Sequence, residues 1–476
     1  MRRAAALCAL AGCAAACLAG DEDELARKLA ALDRELAGAL AKQADSAAKA
    51  GLHGRAMADR LNALGLDPDQ PDARTGLGFV ASGSAWARDP SAQVRNLDEP
   101  SGKALETRLE GWRERREKQV LKRARKEVAD LVAWCQKKQL DPAPAWSRLL
   151  LLEPANEQAR QALGWRRIAL GARDAWMLEP GEGWIRGPIA EGLAGSGPGE
   201  SILGGAVAER TGLPLYGRKI GALTVLVDAA ATPGELDRLV AHGRLAQTVV
   251  RDLLGGPEEL RPVELVFLSS EAGFLRFVDT SWPEEPPERR KAMAASYGSL
   301  SSKVDGFRAY QAPGQPWRED GVIDSIASEA LGGVSKGAWR LRWLNDGFEA
   351  HCTLMLHGSS TWHTAGSGTR TRGGGGEDQV PTCDWPLRLR GLVAAGLDRP
   401  MARLLDPEET AEFWQDDLIK SQSLVAWLLV PARRALFHRY LAGLDGKRDP
   451  RAVLERVFER PLREIEAEWR EWVLRR

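Results

Sequence analysis

The sequence predicts an α+β protein, in which a helical-hairpin N-terminal domain precedes a small mixed sheet and a mainly helical C-terminal lobe. Three patterns support this fold class. In residues 21–78, Leu and Ala recur at three- and four-residue spacing, the period of an amphipathic helix. In residues 215–318, short apolar runs alternate with helical stretches, as in a small α/β subdomain. Helical patterns dominate again in residues 319–476.

The composition excludes one large class of function. The chain has 476 residues, enough for two or three domains. It has 66 basic and 66 acidic residues, so its formal net charge is zero. A protein that binds nucleic acid through bulk charge needs a basic excess, and we expect no nucleic-acid partner. The 17 Trp residues are expected to anchor helix packing.

Residues 1–20 have the features of a signal peptide. Two Arg precede a short apolar run, and an acidic segment begins at Asp21. The run is too short to span a membrane as a stable helix. We therefore expect export to the periplasm, the cell surface or the medium of a bacterium. The tetrapeptide that ends at Cys13 resembles a lipobox, so lipidation of Cys13 and ordinary cleavage near Ala19 or Gly20 are alternatives. A lipid anchor is the one membrane contact expected.

The cysteines exclude a disulfide framework and a CxxC metal site. Three of the six lie in residues 1–20, and the rest of the chain contains Cys135, Cys352 and Cys383. In an oxidising compartment the sequence allows one bridge, between Cys352 and Cys383.

An internal repeat marks the helical region, residues 21–170. Leu66–Phe79 matches Leu152–Trp165 with a constant offset of 86 residues. In each copy an acidic residue and Pro predict the end of one helix and the start of another. The pattern resembles the helical hairpins of tetratricopeptide-like proteins, although two copies are too few for a solenoid. This resemblance implies a protein-interaction module as an alternative function.

A long charged helix is predicted between the two copies, at Ser101–Leu140. Its segment Lys103–Glu127 contains ten basic and five acidic side chains. The pattern favours a solvated helix face with ion pairs along the helix; a surface for an anionic partner is the alternative.

Residues 171–214 are rich in Gly and Pro and predict a linker with short strands. Beyond the linker, Leu223–Ala230 and Pro262–Ser270 predict strands separated by a helix. The segment Val304–Ala312 is expected to close a small sheet.

Two short motifs carry the functional hypothesis. Ser328–Gly332 reads Ser-Glu-Ala-Leu-Gly, and Arg342–His351 contains Trp-Leu-Asn-Asp-Gly. Their order resembles the peptidase MA-like gluzincins, zinc metallopeptidases in which an HExxH helix precedes a WLxEG helix. The resemblance covers residues 215–476. It implies that Glu329 stands at the general-base position, Asp346 at the acidic-ligand position, and Ser328 and Gly332 at the positions of the two zinc-binding His.

The departures from this family decide the expected chemistry. Ser is a weak zinc ligand and Gly has no side chain, so zinc is not expected and no other cofactor is indicated. Without zinc, no bound water is activated and peptide hydrolysis should fail. We therefore expect a catalytically inactive pseudo-peptidase with a binding or scaffolding role. Its degenerate cleft would consist of Ser328, Glu329, Gly332 and Asp346, with a protein or peptide as ligand.

Two catalytic alternatives remain open at this point. His351, His357 or His363 could supply a rearranged metal site for an active hydrolase, although six residues of spacing place His351 and His357 about 120° apart on a helix. Glu329 and Asp346 could also act as the carboxylate pair of a glycosidase.

Overall fold

The structure is a computed structural model, and its chain is mostly helical with a small mixed sheet, as the α+β prediction requires. It divides into two compact units. The N-terminal unit is Met1–Gly164 with Cys383–Asp398 and Val473–Arg476; the C-terminal unit is Trp165–Thr382 with Arg399–Trp472. The structure describes residues 2–83, 85–89, 102–168, 175–178, 199–256, 262–296, 299–301, 308–310, 318–358, 360, 385–406, 413–446 and 448–475.

The α-helices of the described residues are numbered in chain order. They are α1 Arg2–Lys49, α2 His53–Leu66, α3 Pro71–Gly76, α4 Gly102–Arg116, α5 Lys122–Lys138, α6 Ala143–Leu152, α7 Glu157–Ala162, α8 Ala206–Thr211, α9 Pro233–Leu253, α10 Glu271–Ser281, α11 Pro287–Ser296, α12 Arg318–Val334, α13 Arg342–His357, α14 Trp385–Ala395, α15 Met401–Leu404, α16 Gln415–Leu429, α17 Arg434–Gly443, α18 Pro450–Phe458 and α19 Leu462–Arg475. No described helix is both long and apolar enough to cross a membrane.

The described strands form one six-stranded sheet and two hairpins. The hairpins are β1–β2 and β3–β4, and the sheet has the order β5-β6-β7-β8-β10-β9. The strands are β1 Phe79–Ser82, β2 Ala85–Arg88, β3 Trp165–Ile168, β4 Ala175–Leu178, β5 Glu200–Leu203, β6 Leu215–Ile220, β7 Leu223–Asp228, β8 Val263–Phe267, β9 Ser299–Ser301 and β10 Arg308–Tyr310.

In the N-terminal unit, α2 lies between α1 and α14. At Gly65 a Cβ atom would lie 2.4 Å from the carbonyl oxygen of Leu387, and at Gly391 it would lie 1.9 Å from that of Leu61. Glycine at both positions lets the backbones of α2 and α14 touch. The sequence prediction had placed α14 in the C-terminal lobe, whereas the structure groups it with the N-terminal helices.

The predicted long helix is continuous but contains a π-helical segment, Glu117–Leu121, between α4 and α5. Its buried side chains recur every four residues, at Trp112, Arg116, Val120 and Ala124. In an α-helix each such step rotates the row by about 40°. The wider π turn offsets this rotation and keeps the row facing the core.

The predicted solvated face is also present on this helix. Arg125 pairs with Glu117 at 2.6 Å and with Glu153 at 2.7 Å, and Arg123 pairs with Glu35. These contacts neutralise part of the local basic excess within the unit itself.

The 86-residue repeat is structural as well as sequential. At the start of α3, the Gln70 side chain accepts a hydrogen bond from the Ala73 backbone N–H at 2.6 Å. At the start of α7, Asn156 does the same with Ala159 at 2.9 Å. Each cap satisfies a backbone donor that has no partner within its helix.

Each copy then departs from a tetratricopeptide-like hairpin. The predicted second helix is only six residues long in both copies, α3 and α7. Gly78 and Gly164 follow, both with φ of +81°, and a strand begins at the next residue. This left-handed conformation favours glycine and ends the helix, so each copy closes with a β-hairpin.

The sheet of the C-terminal unit confirms the predicted strands. β7, β8 and β10 are parallel neighbours, and β5, β6 and β9 are antiparallel to the strands beside them. Leu265, Val266 and Phe267 of β8 are fully buried. Helix α9 packs on α12, and Gly243 of α9 allows close contact with Leu223 of β7. This arrangement fixes the position of α12.

Acid should weaken the C-terminal unit through Lys420 and Glu466. Lys420 is buried, and its Nζ lies 2.8 Å from Glu466. Burial raises the pKa of Glu466, but Lys420, the backbone N–H of Met401 and the charge of Arg470 together outweigh it, and the net pKa is lowered from 4.5. The stabilisation by this pair is therefore complete above pH 4.5 and is lost as pH falls through the lowered pKa.

We expect the melting-temperature difference between wild type and Glu466→Gln to be largest at pH 6–7 and to shrink below about pH 4. Thermal melts across pH 3–7 measure it, with the exposed Glu464→Gln as the matched control. A difference that grows on acidification would contradict this expectation.

Candidate functional site

The helices that carry the two motifs pack side by side. α12 carries Ser328 and Glu329, and α13 runs antiparallel to it. Trp343 and Leu344 are fully buried core residues. At Gly347 a Cβ atom would lie 2.8 Å from the backbone of Ser421, so α13 also packs closely on α16.

A row of polar side chains runs along the contact between α12 and α13, and we call it the polar ladder. On each helix its members are spaced four residues apart, which places them on one face. Most are buried, although apolar residues are the usual occupants of such a contact. The members are Asp320, Asp324 and Ser328 on α12, and Asn345, Glu349, Thr353 and His357 on α13.

One end of the polar ladder is centred on Asp320. Its Oδ1 lies 2.9 Å from Nδ1 of His357, and its Oδ2 accepts a hydrogen bond from the Ser360 hydroxyl at 3.2 Å. The side chains of Asp320 and His357 are both 0% exposed. One step along, Thr353 donates to Asp324 at 2.7 Å. Buried carboxylates are stable only with such partners.

A second histidine joins this end from α9. The His242 ring lies edge-on to that of His357, with centroids 5.1 Å apart. Its Nδ1 lies 2.9 Å from the carbonyl oxygen of Arg238, which fixes that nitrogen as the donor. The three helices α9, α12 and α13 therefore meet at one buried polar cluster.

The other end of the polar ladder contains Ser328, the first residue of the Ser328–Gly332 motif. The Ser328 hydroxyl donates to Oδ1 of Asn345 at 3.0 Å, and Nδ2 of Asn345 donates to Glu349 at 2.7 Å. Asp346 does not face Ser328 in this way and pairs with Arg342 at 3.2 Å. Adjacent helical residues point about 100° apart, so Asn345, rather than Asp346, takes the position opposite Ser328.

Glu329 and Gly332 lie at the edge of this contact. Both are partly exposed, and Gly333 is exposed. Glu329 follows Ser328 on α12 and points away from the ladder face by about 100°. The Asp346 carboxylate is engaged by Arg342 on the same helix.

The residues around Ser328 do not fit zinc. They offer a hydroxyl, an amide and a carboxylate, all oxygen donors, and these groups hydrogen-bond one another. Protein zinc sites rely on imidazole nitrogen or thiolate sulfur. Across the part of the chain that the structure describes, no group of three or more His, Cys, Asp or Glu side chains is arranged to hold a metal ion.

The histidines of the alternative metal site contact different helices. Nδ1 of His351 lies 3.2 Å from Nε2 of Gln422 on α16, whereas His357 contacts Asp320 on α12. The structure therefore does not bring these two imidazoles to one position. His363 lies outside the described residues.

Cys352, one partner of the bridge that the sequence allows, is a free, buried thiol on α13. Burial raises the pKa of Cys352, with further contributions from Asp324 and Glu349, and the thiol stays protonated. Cys383 lies outside the described residues. Cys13, the candidate lipidation residue, belongs to the part of α1 whose side chains the structure does not describe.

Sequence reasoning missed most of the polar ladder, including Asp320, Asn345, Glu349 and Thr353. For α13 the sequence does contain a signal of this contact, because polar residues occupy every fourth position from Asn345 to His357. Such a row within an otherwise apolar helix indicates a buried polar contact. No family model, curated protein or solved structure matches this chain.

Proposed function

We propose that this chain is an exported gluzincin-like pseudo-peptidase that binds a protein or peptide without cleaving it. One observation carries the proposal: the Ser328 hydroxyl hydrogen-bonds Asn345 at 3.0 Å where an HExxH motif requires the first imidazole. Export rests on the signal-like character of residues 1–20.

The chemistry of the site supports the loss of catalysis. Zinc peptidases need a Lewis acid that lowers the pKa of a bound water near a general base. The base position is kept by Glu329, but Ser328 and Gly332 provide no nitrogen ligand. Ser328, Asn345 and Glu349 are linked by two consecutive hydrogen bonds, which engage their polar groups with one another. A water beside Glu329 would keep its ordinary pKa.

The surface beside the motif supports a binding role. One side of α12 is open to solvent there: Glu329 and Gly332 are partly exposed, and Gly333 is exposed. Glycines without side chains allow close approach by a ligand backbone. The accessible Glu329 carboxylate can accept hydrogen bonds or pair with a basic group of the ligand.

Metal analysis and peptidase assays test the loss of catalysis. We expect purified wild-type protein to hold less than about 0.1 zinc per chain and to leave unfolded casein intact. One stoichiometric zinc, together with casein cleavage that Glu329→Ala abolishes, would refute the proposal.

Restoration of the ligands tests the gluzincin-like frame. The triple variant Ser328→His, Gly332→His, Asn345→Glu should bind zinc at least about tenfold more tightly than Ser328→His, Gly332→His, Asp346→Glu, because Asn345 faces Ser328. Chelator competition measures both affinities. Equal affinities, or zinc binding by neither variant, would argue against this frame.

Ligand binding is tested with fluorescein-labelled unfolded casein. We expect saturable binding without cleavage, weakened at least about fivefold by Glu329→Arg and by Gly333→Trp. Glu464→Arg, at an exposed position on α19, is the matched control for Glu329→Arg. Binding that Glu329→Arg and Gly333→Trp leave unchanged would remove this surface from the proposal.

A further inference from the structure

Arg390 of α14 places a charged group in the interior of the N-terminal unit. Its Cβ lies beside Gly65 of α2, where the two helix backbones touch, and the residue is only 8% exposed. The pKa of Arg390 is lowered to about 10, mainly by burial and also by the charge of Arg148, against the opposing charge of Asp33. The guanidinium is therefore positively charged at neutral pH, in surroundings that penalise charge.

This guanidinium is only partly satisfied by hydrogen bonds. Nη2 donates to the carbonyl oxygen of Leu474 at 3.3 Å. Nε and Nη1 are buried, and within the described part of the chain they have no hydrogen-bond partner. All nitrogen atoms of a guanidinium are donors, and a buried donor without an acceptor is costly. Arg390 therefore lacks an acceptor at two of its three nitrogen atoms.

The neighbouring carboxylate is already engaged by another arginine. Both oxygens of Asp33 accept hydrogen bonds from Nε of Arg148, at 2.9 and 3.0 Å. Two guanidinium groups thus share one carboxylate, and the cluster has one net positive charge. Elsewhere in this unit the buried Arg116 has its own carboxylate, that of Asp59, at 3.2 Å. Among the described residues, no carboxylate forms such an ion pair with Arg390.

Water alone would not complete this site. A water molecule can accept a hydrogen bond from Nε or Nη1, but it brings no negative charge. A small anion supplies the acceptor and the charge together, and charge-assisted hydrogen bonds are stronger than those between neutral groups. The size of the anion is limited, because a carboxylate of a partner protein cannot reach a guanidinium at this depth unless the helices separate.

The last turn of α19 offers a route to the site. The Leu474 side chain is 39% exposed, while its carbonyl oxygen accepts the hydrogen bond from Nη2 of Arg390. The Nη2 end of the guanidinium therefore lies nearest to the surface. Helix ends open more easily than helix interiors, so an ion can enter without unfolding of the unit.

We propose that Arg390 binds a small monovalent anion, of the size of chloride, through Nε and Nη1. The anion would neutralise the cluster that Arg390 forms with Arg148 and Asp33. Its binding would stabilise the contact of α14 with α2, because α14 would no longer bring an uncompensated charge into the core. This site is independent of the surface proposed at Glu329, and either can fail without the other.

Thermal melts with chloride as the probe test the proposal. Sodium chloride replaces sodium gluconate, up to about 0.3 M at constant ionic strength, so that the screening of surface charges does not change. Because chloride would bind the folded unit, the melting temperature of the wild type should rise by at least about 3 °C and then level off. Arg390→Met removes the charge and keeps an unbranched side chain, so its shift should fall below about 1 °C. Arg34→Met, at an exposed position of α1, is the matched control and should shift as the wild type does.

Three outcomes would overturn the proposal: no dependence of the wild-type melting temperature on chloride, a full shift in Arg390→Met, or loss of the shift in Arg34→Met as well. The first of these would identify water as the occupant. A second measurement needs no variant and applies if Arg390→Met does not fold. In wild-type crystals soaked with bromide, the anomalous signal of bromine should lie within hydrogen-bonding distance of Nε or Nη1, and its absence there would equally refute the site.

Discussion

Replacement of Gly391 by alanine is expected to lower the free energy of unfolding by about 3 kcal/mol or more. The new Cβ would lie 1.9 Å from the carbonyl oxygen of Leu61, and real contacts of this kind never come so close. The obstacle is backbone in the middle of α2, which cannot rotate aside as a side chain can. Helices α2 and α14 must therefore separate, and the core between them loses its packing.

Gly38→Ala is the matched control for this prediction. Gly38 also lies within a helix, α1, but a Cβ there would have no atom within 4 Å. Its replacement should stabilise the chain by about 0.5–1 kcal/mol through helix propensity. Urea denaturation followed by Trp fluorescence measures both variants. A Gly391→Ala protein as stable as wild type would show that α14 does not pack on α2 in this way.

Much of the fold could be predicted from local patterns. Short apolar runs predicted β7 and β8, and helical spacing of apolar residues predicted α9 and most of the C-terminal helices. The position of α14 could not be predicted this way. Its sequence is that of an ordinary helix, and its partner α2 lies more than 300 residues earlier. The contact depends on Gly65 and Gly391, whose importance appears only when the two backbones meet.

The candidate site could be predicted only as a pair of helices. The motif located α12 and α13, and the structure shows that its Trp343 and Leu344 are fully buried. The resemblance placed the acidic-ligand position at Asp346, and the residue that hydrogen-bonds Ser328 is its neighbour Asn345. A motif match locates a residue on its helix only to within one position. A shift of one position rotates the side chain by about 100° around the helix axis, to a different face. Partners such as Asp320 and Gln422 come from tertiary packing and leave no local signal.

Loss of the Asp320 carboxylate is expected to have the largest effect in the C-terminal unit. Asp320→Ala should lower the free energy of unfolding by about 3–5 kcal/mol, because His357 and Ser360 would lose a buried acceptor. Both partners lie in the interior, where water cannot replace the lost hydrogen bonds at low cost. Asp346→Ala is the matched control: it removes a partly exposed carboxylate at the same helix pair and should cost about 1 kcal/mol or less.

A double variant distinguishes two contributions to the free energy of unfolding: the penalty for burying one polar group without its partner, and the stabilisation by the Asp320–His357 pair itself. Asp320→Leu with His357→Leu removes both polar groups, so no imidazole is left buried without its carboxylate. This double variant should be less destabilised than the sum of the two single variants, by about 1–3 kcal/mol. Additive effects in urea denaturation would mean that Asp320 and His357 are stabilised independently. The polar ladder would then be a set of separate contacts.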